Sequence, residues 1–207
     1  MPVAPITPIP TLSKLSLSIE TPRLKLRPLE DADAEKLFPY VSDPALPTMV
    51  TWRAHGTIDE TRAWIASTTK AREAGTDMVW AVEHDGAPIG CIGLHDITWA
   101  VQAVRLDHGD LGYWMARPFQ GKGLATEAVR NVTRWTFETL GLHKILVSCF
   151  DENMASRRVI EKCGFRLLSR QDEDMWRDGK WHARLRYELI VADVSDVTNT
   201  LRFRRPI

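Results

Sequence analysis

The chain has 207 residues, of which 44% are hydrophobic, and its 27 lysines and arginines balance 27 aspartates and glutamates. This size predicts one domain with a sizeable core, and the zero net charge argues against a basic nucleic-acid coat protein or an acidic disordered protein. The longest apolar run, residues 144–150, is far shorter than the roughly 20 residues that cross a bilayer, so we expect a soluble protein.

The chain divides into three predicted segments. Residues 1–16 hold four of the twelve prolines and lack the basic start and apolar stretch of a signal peptide, so we expect a flexible tail. Residues 17–193 would form a single domain, because no Gly/Ser-rich linker or internal repeat divides them. Residues 194–207 would be a C-terminal extension.

The first elements in chain order are a strand and two helices. Alternating polar and apolar residues predict a strand over residues 19–28, and helical patterns follow over residues 31–41 and 59–74. Thr57 with Glu60 three residues later is a capping box, which predicts where the second helix begins.

A hairpin and a further strand come next. Apolar runs over residues 78–83 and 88–94 flank an Asp-Gly dipeptide, which is a strong signal for two antiparallel strands. We interpret residues 95–107 as a loop long enough to be functional, followed by a strand over residues 108–115. Gly112 within that strand indicates a bulge or a close backbone approach.

The second half adds helices between strands. After Gly123, apolar residues at helical spacing predict a long amphipathic helix that ends at Gly141. The remaining elements are a buried strand, a short helix and two paired strands, over residues 145–150, 155–163, 165–171 and 181–191. This order predicts a mixed α/β fold with an antiparallel front and a strand-helix-strand crossover.

The most informative segment is YWMARPFQGKGLAT, residues 113–126, where a strand leads through two glycines into the long helix. Gly121 and Gly123 allow close backbone approach, and free N–H groups at a helix start bind anions such as phosphate. A Walker A loop needs Ser or Thr after the Gly-Lys pair, and a dinucleotide fingerprint needs glycine where Thr126 stands. A glycine-capped turn with no ligand remains the alternative.

The stretch Gln120-Gly121-Lys122-Gly123-Leu124-Ala125 resembles the acyl-CoA pyrophosphate loop of the GCN5-related N-acetyltransferases: Gln or Arg, two free positions, Gly, one free position, Gly or Ala. Four further stretches resemble the branch of this family that acetylates the N-terminal amines of ribosomal proteins. They are ETPRLKLRP, DLGYWM, Asn153-Met154-Ala155-Ser156 and Glu161-Lys162-Cys163-Gly164-Phe165. The resemblance covers residues 19–191. It implies a central mixed sheet of six or seven largely antiparallel strands with about four helices.

The resemblance also implies how acetyl-CoA is held. The strand at 110–115 would splay away from the strand at 145–150, so that pantetheine pairs with free backbone groups near Met115. A backbone N–H near Met115 would polarise the thioester carbonyl, and Asn153 would hydrogen-bond the pantetheine. The pyrophosphate would bind the loop and helix start, at Gln120, Gly121, Lys122, Gly123, Leu124, Ala125 and Thr126.

The catalytic groups are inferred in the same way. Many relatives protonate the leaving thiolate with a tyrosine four residues before the Gly of Gly-Phe, where this chain has Ile160. The resemblance implies that Ser156 is the substitute acid. Without it, Asn153 would be a plain helix N-cap and Ser156 a first-turn helix serine.

The general base is less well defined. Strand alternation puts Asp110 on the same face as Gly112 and Trp114, so Asp110 is the first candidate, with a solvated strand-edge charge as the alternative. Further candidates are Glu83, His95 and Asp174. An α-amine needs little help from a base, because with a pKa near 7.8 about one-seventh of it is neutral at pH 7.

Cysteine usage points to a reducing compartment and to no metal. Cys91, Cys149 and Cys163 have no close pair, which is typical of buried, reduced thiols and favours a cytoplasmic location. Cys91 and His95 are four residues apart, as in half a metal site, but no second pair stands at a suitable spacing. We therefore expect no metal.

Together these observations favour an acetyl-CoA-dependent N-acetyltransferase that transfers the acetyl group directly to a primary amine. The resemblance favours a protein or peptide N-terminal α-amine as acceptor. The alternatives are a small amine, such as a polyamine, antibiotic or amino-acid analogue, and a non-catalytic acyl-CoA-binding module. We expect no nucleic-acid or membrane partner, and a monomer or homodimer.

Overall fold

The computed structural model describes residue 5 and residues 8–193. The strands are β1 Ile19–Glu20, β2 Lys25–Pro28, β3 Met78–His84, β4 Ala87–Val101, β5 Val104–Met115, β6 Lys144–Phe150, β7 Arg166–Arg177 and β8 Lys180–Ile190. The α-helices are α1 Asp33–Val41, α2 Ile58–Ala74, α3 Leu124–Trp135 and α4 Met154–Lys162. Short 3-10 helices span Leu12–Lys14, Leu46–Met49 and Arg117–Phe119.

The strands form one sheet in the order β1-β2-β3-β4-β5-β6-β8-β7. Among the described strands, only β5 and β6 pair in parallel, because α3 carries the chain from one to the other. The mixed, largely antiparallel fold is confirmed, with eight strands instead of six or seven.

The helices cover both faces of this sheet. Ala128 of α3 and Ile160 of α4 pack with Leu111 and Met115 of β5 in one apolar cluster. Leu37 of α1 packs in a second cluster on the other face. The two faces of β5 therefore contact different helices, so side chains that alternate along β5 face different surroundings.

The extra strand comes from the predicted strand at residues 19–28, which folds back on itself. Ile19 pairs with Leu26 and Glu20 with Lys25, so β1 and β2 are antiparallel neighbours. Thr21 closes the turn between them, because its Oγ1 accepts from Leu24 N at 2.8 Å. These residues alternate in polarity like a single strand, but hydrogen bonds between Thr21 and Leu24 turn the chain between two strands.

The predicted loop at residues 95–107 is also wrong, because nearly all of it belongs to the β4–β5 hairpin. The strands turn at Gln102, which has a φ of +53°. The register shifts on β4 between His95 and Thr98. Gly112 shows no register shift, so the bulge predicted there is absent, and a Cβ at Gly112 would lie at an ordinary contact distance of 3.5 Å from the His95 ring.

The predicted helices are confirmed with small shifts of their ends. Thr57 Oγ1 accepts from Glu60 N at 3.3 Å and caps α2. Helix α3 continues as a π-helical turn, Thr136–Leu140, before Gly141. Helix α4 ends in a Schellman motif, since Phe165 N donates to Ile160 O at 3.3 Å beyond Gly164.

The predicted tail is only partly described. Leu12 is buried in the core, and Trp135 Nε1 donates to Ser16 O at 2.9 Å. Leu12 and Ser16, which lie in the segment predicted to be a tail, therefore contact the domain. The C-terminal extension at 194–207 lies outside the described residues. Between residues 8 and 193, no helix combines the length and the apolar composition needed to cross a membrane.

A buried ion pair joins β2 to the start of α1. Arg27 Nη1 and Nη2 each lie 2.7 Å from an oxygen of Asp33, and Arg27 Nε lies 3.0 Å from Glu83 Oε2. Burial of the Asp33 carboxyl opposes ionisation, but hydrogen bonds from Arg27 and from Glu30 N outweigh it and hold the pKa of Asp33 below its usual value. The ionised pair therefore stabilises the fold.

Asp33→Asn is expected to lower the free energy of unfolding by about 1–3 kcal/mol at pH 7, because it removes the two-pronged carboxylate from the Arg27 guanidinium, which keeps only Glu83 as an anionic partner. Since folding lowers the pKa of Asp33, its ionisation stabilises the protein above the unfolded pKa of about 3.9 and ceases to do so as pH falls through the folded pKa. Urea unfolding at several pH values measures this. Glu35→Gln on the same helix is the control, since the Glu35 side chain is 74% exposed; equal effects of the two variants at pH 7 would contradict the prediction.

Candidate active site

The loop between β5 and α3 leads into a helix start whose first N–H groups are free, as at helix starts that bind anions. Gly121 and Gly123 have φ angles of +74° and +78°, which only glycine adopts readily. The first hydrogen bond of α3 runs from Glu127 N to Gly123 O at 3.1 Å, so the N–H groups of residues 124–126 precede it. The amides predicted to hold a pyrophosphate thus lie at the positive end of the helix dipole.

The loop is braced by residues that the sequence analysis missed. Arg23 Nε donates to Glu127 Oε2 at 2.6 Å and Arg23 Nη1 to Lys122 O at 3.0 Å, while Thr21 Oγ1 donates to Glu127 Oε1 at 2.7 Å. Burial opposes ionisation of Glu127, but these hydrogen bonds from Thr21 and Arg23 hold the pKa of its carboxyl below the usual value. The β1–β2 turn therefore fixes the first turn of α3. No local sequence signal links residues so far apart.

An opening separates β5 from β6 next to this loop. The described pairing between the two strands runs from His108–Lys144 to Leu111–Val147. Residues 112–115 pair with β4 alone. The expected separation of the two strands is therefore present.

The backbone of β5 presents hydrogen-bonding groups to this opening. Ala116 N donates to Ile89 O at 2.8 Å, which makes these two the hydrogen-bonded pair at the end of the β4–β5 ladder. The antiparallel alternation then makes Met115 and Gly90 a non-hydrogen-bonded pair, whose N–H and C=O groups point away from each other. Both backbone groups of Met115 thus face the opening.

Gln120 uses one of these groups. Its Nε2 donates to Met115 O at 2.8 Å, so the predicted loop glutamine and the predicted oxyanion residue are in direct contact. Gly90 permits close approach of the two strands, because a Cβ there would lie 2.3 Å from Trp114 O. The hydrogen bond from Gln120 and the close packing of β4 at Gly90 therefore hold the Met115 backbone in place.

Helix α4 begins at the other side of the opening. Asn153 Oδ1 accepts from Ser156 N at 3.0 Å, which is an N-cap hydrogen bond. Asn153 Nδ2 donates to Met49 O at 3.1 Å and ties the helix start to the segment after α1. The side chain predicted to bind the pantetheine thus caps α4 and joins its start to residues 46–49.

Ser156 lies against a tyrosine and a cysteine. Tyr113 Oη is 2.9 Å from Ser156 Oγ and 3.3 Å from Ser156 O. Burial raises the pKa of the Tyr113 phenol above its usual range, so it stays protonated. Burial also raises the pKa of the Cys149 thiol to about 11, with the adjacent Ser156 hydroxyl acting in the opposite direction. Tyr113 lies on the face of β5 opposite to Asp110 and Trp114, so the strand alternation used to find a base does not single it out.

Asp110 does not lie beside Ser156. It is an odd number of residues from Tyr113 along β5, so the two side chains point to opposite faces of the sheet. Burial, followed by the Asp96 charge, raises the pKa of the Asp110 carboxyl. Asp110 pairs with His95 across the β4–β5 ladder, so two of the candidate bases are neighbours.

The other two candidate bases are engaged in ion pairs. Glu83 accepts from Arg27, and Asp174 Oδ2 is 2.6 Å from Arg184 Nη2. In the described part of the chain, no three His, Cys, Asp or Glu side chains come together as metal ligands would.

A cavity of about 650 Å³ adjoins the loop. Its walls come from α1 with the following segment and from the chain after β5; the lining residues are Tyr40, Asp43, Leu46, Arg117, Pro118 and Gln120. Because Gln120 also contacts Met115 O, the cavity lies beside the backbone groups at the opening. It is large enough to take part of a ligand.

Comparison with known proteins agrees with this geometry. The family model for the acetyltransferase (GNAT) domain matches residues 23–166. The Bacillus subtilis protein named "Putative ribosomal N-acetyltransferase YdaF" is 30% identical over 52% of this chain and 56% of its own length. FsC-acetyl coenzyme A-N(2)-transacetylase of Aspergillus fumigatus is 30% identical over 73% of this chain and 66% of its own length. The chain thus spans from just over half to about two thirds of these relatives.

A solved structure shares the fold over most of its length. RimL, described as a ribosomal L7/L12 alpha-N-protein acetyltransferase in complex with coenzyme A, superposes with a TM-score of 0.76. The match covers 85% of this chain and 99% of that one at 18% identity, so the likeness is one of fold.

Proposed function

The chain belongs to the GNAT acetyltransferase family, and on this premise we propose that it transfers the acetyl group of acetyl-CoA to the N-terminal α-amine of a protein or peptide. The observation that carries the proposal is the helix start at Gly123 beside an opening that presents the N–H and C=O groups of Met115. The coenzyme A in the RimL structure and the name of YdaF support the cosubstrate and the acceptor class.

In this mechanism the chain mainly positions two reactants. The amides of residues 121–126, with the Lys122 charge, hold the pyrophosphate, and Asn153 steadies the pantetheine end. The N–H of Met115 donates to the thioester carbonyl oxygen and stabilises the negative charge that develops on it. Gln120 holds Met115 O at 2.8 Å and so keeps this peptide unit in place.

The transfer step needs no covalent enzyme intermediate. The neutral amine nitrogen attacks the carbonyl carbon, the C–S bond breaks, and its electron pair goes to sulfur. Ser156 gives its hydroxyl proton to the sulfur and regains a proton from solvent water, while the nitrogen releases its proton to a base and from there to solvent. Sulfur gains one proton and nitrogen loses one, so the step balances without another reactant.

Asp110 is the proposed first acceptor of the amine proton. Its raised pKa makes its carboxylate a somewhat stronger base than an exposed one. It is still a weak base, so an acceptor amine that is already partly neutral is favoured.

We expect α-amines to be acetylated well before lysine side chains at neutral pH. An α-amine with a pKa near 7.8 is about one-seventh neutral at pH 7, whereas a lysine with a pKa near 10.4 is neutral about once in a few thousand. Comparing one lysine-containing peptide with its N-terminus free or blocked measures the preference. Faster acetylation of the internal lysine would refute the proposed acceptor.

A small amine is the second candidate acceptor. The similarity to the Aspergillus fumigatus transacetylase supports it, because the name of that enzyme mentions no ribosomal protein and its alignment covers more of this chain than the alignment with YdaF. An acceptor screen that reads free thiol released from acetyl-CoA distinguishes the two classes. Release stimulated by polyamines or amino-acid analogues, and by no peptide, would assign the small-amine class.

A further inference from the structure

Tyr113 is in hydrogen-bond contact with the Ser156 hydroxyl through its phenol group. It lies on β5 beyond Leu111, the last residue that pairs with β6, so its side chain stands at the opening. Its ring packs against the apolar cluster shared with α3 and α4. Its Oη then reaches Ser156 Oγ at 2.9 Å.

The number of protons at this contact limits the possible hydrogen bonds. The Tyr113 phenol carries one proton, which it retains because burial raises the pKa of the phenol. The shorter of its two contacts with Ser156 is to Oγ, at 2.9 Å against 3.3 Å to the carbonyl oxygen. When the phenol donates to Oγ, the Ser156 hydroxyl proton must point elsewhere.

We propose that Tyr113 is a positioning residue for acetyl transfer, whose phenol donates to Ser156 Oγ and thereby directs the Ser156 proton to the sulfur of CoA. This inference rests on the proposed role of Ser156. When Ser156 gives up its proton, its oxygen becomes more negative, and the hydrogen bond from Tyr113 strengthens as bonds to charged groups do. Tyr113 keeps its own proton throughout.

The test uses Tyr113→Phe, which preserves the ring and its packing and removes only the hydroxyl. We expect kcat to fall about 10- to 100-fold, the range for one hydrogen bond to a charged group, while the KM for acetyl-CoA stays within about twofold. The variant Tyr113→Phe/Ser156→Ala should be no slower than Ser156→Ala alone, because Tyr113 acts through Ser156. Independent, additive losses would overturn the proposal.

Tyr187→Phe is the matched control. Tyr187 is also buried and also reaches α4, where its Oη donates to Glu161 Oε1 at 3.4 Å. We expect this variant to keep wild-type kcat and to change the melting temperature about as Tyr113→Phe does. If both variants lose the same activity, the effect is structural and the proposal is wrong.

The reaction should be followed as thiol release from acetyl-CoA, with and without an acceptor peptide. Without peptide, thiol release measures the slow transfer of the acetyl group to water, which also needs Ser156 and Tyr113. This assay therefore tests the role of Tyr113 even if the proposed acceptor class is wrong. A peptide that does not stimulate release contradicts the acceptor assignment alone. A Tyr113→Phe variant within twofold of wild type in both assays would overturn the role of Tyr113 alone.

Discussion

Replacing Gly121 and Gly123 together by valine is expected to abolish CoA binding. Both glycines have φ near +75°, where a side chain costs roughly 1–2 kcal/mol and a β-branched one more, so the loop must change its backbone conformation. The amides of residues 121–126 then no longer converge on the pyrophosphate. Losing two hydrogen bonds to charged oxygens, at about 1.5–3 kcal/mol each, predicts a loss of affinity of 100-fold or more. Isothermal calorimetry with CoA measures it.

The double variant Gly86→Val/Gly179→Val is the matched control. These glycines lie in hairpin turns at φ of +78° and +81°, and a Cβ at either position meets nothing within 4 Å. Valine at these positions has the same conformational cost, but both lie outside the loop between β5 and α3, so CoA affinity should be retained. Unchanged affinity in the Gly121/Gly123 variant would refute the assignment of the loop.

Ser156→Ala is expected to slow the chemical step by roughly 10²- to 10⁴-fold, the range for a positioned general acid. The lower end is favoured, because a thiolate with a pKa near 8.5 is already a good leaving group. Binding of CoA should be nearly unchanged, since the N-cap bond from Ser156 N to Asn153 Oδ1 uses the backbone and survives the substitution. The loss should therefore appear in kcat, which single-turnover transfer measures directly.

The control for this variant is Ser67→Ala. Ser67 is an exposed helix serine on α2 whose Oγ donates to Trp64 O at 2.7 Å. It should keep full activity. If Ser156→Ala also stays within about threefold of wild type, then Ser156 is only a helix serine and water protonates the thiolate.

The features that the sequence by itself determined are local ones. Gly121 and Gly123 adopt left-handed backbone angles, and Asn153 and Thr57 cap their helices, because each depends on a few neighbouring residues. The periodicity of α3 and the Asp-Gly turn after β3 are local for the same reason. Most elements, and the loop that carries the proposed function, could therefore be predicted.

Only the tertiary structure decided the contacts between distant segments. These contacts are the end of the β5–β6 pairing, the hydrogen bond of Arg23 with Glu127 and the contact of Tyr113 with Ser156, and each joins residues or strands that periodicity cannot align. Strand alternation told which residues of β5 share a face, but not which face receives α4. That choice follows from how the apolar faces of α3 and α4 pack on the sheet, because burial of those faces is a property of the whole fold.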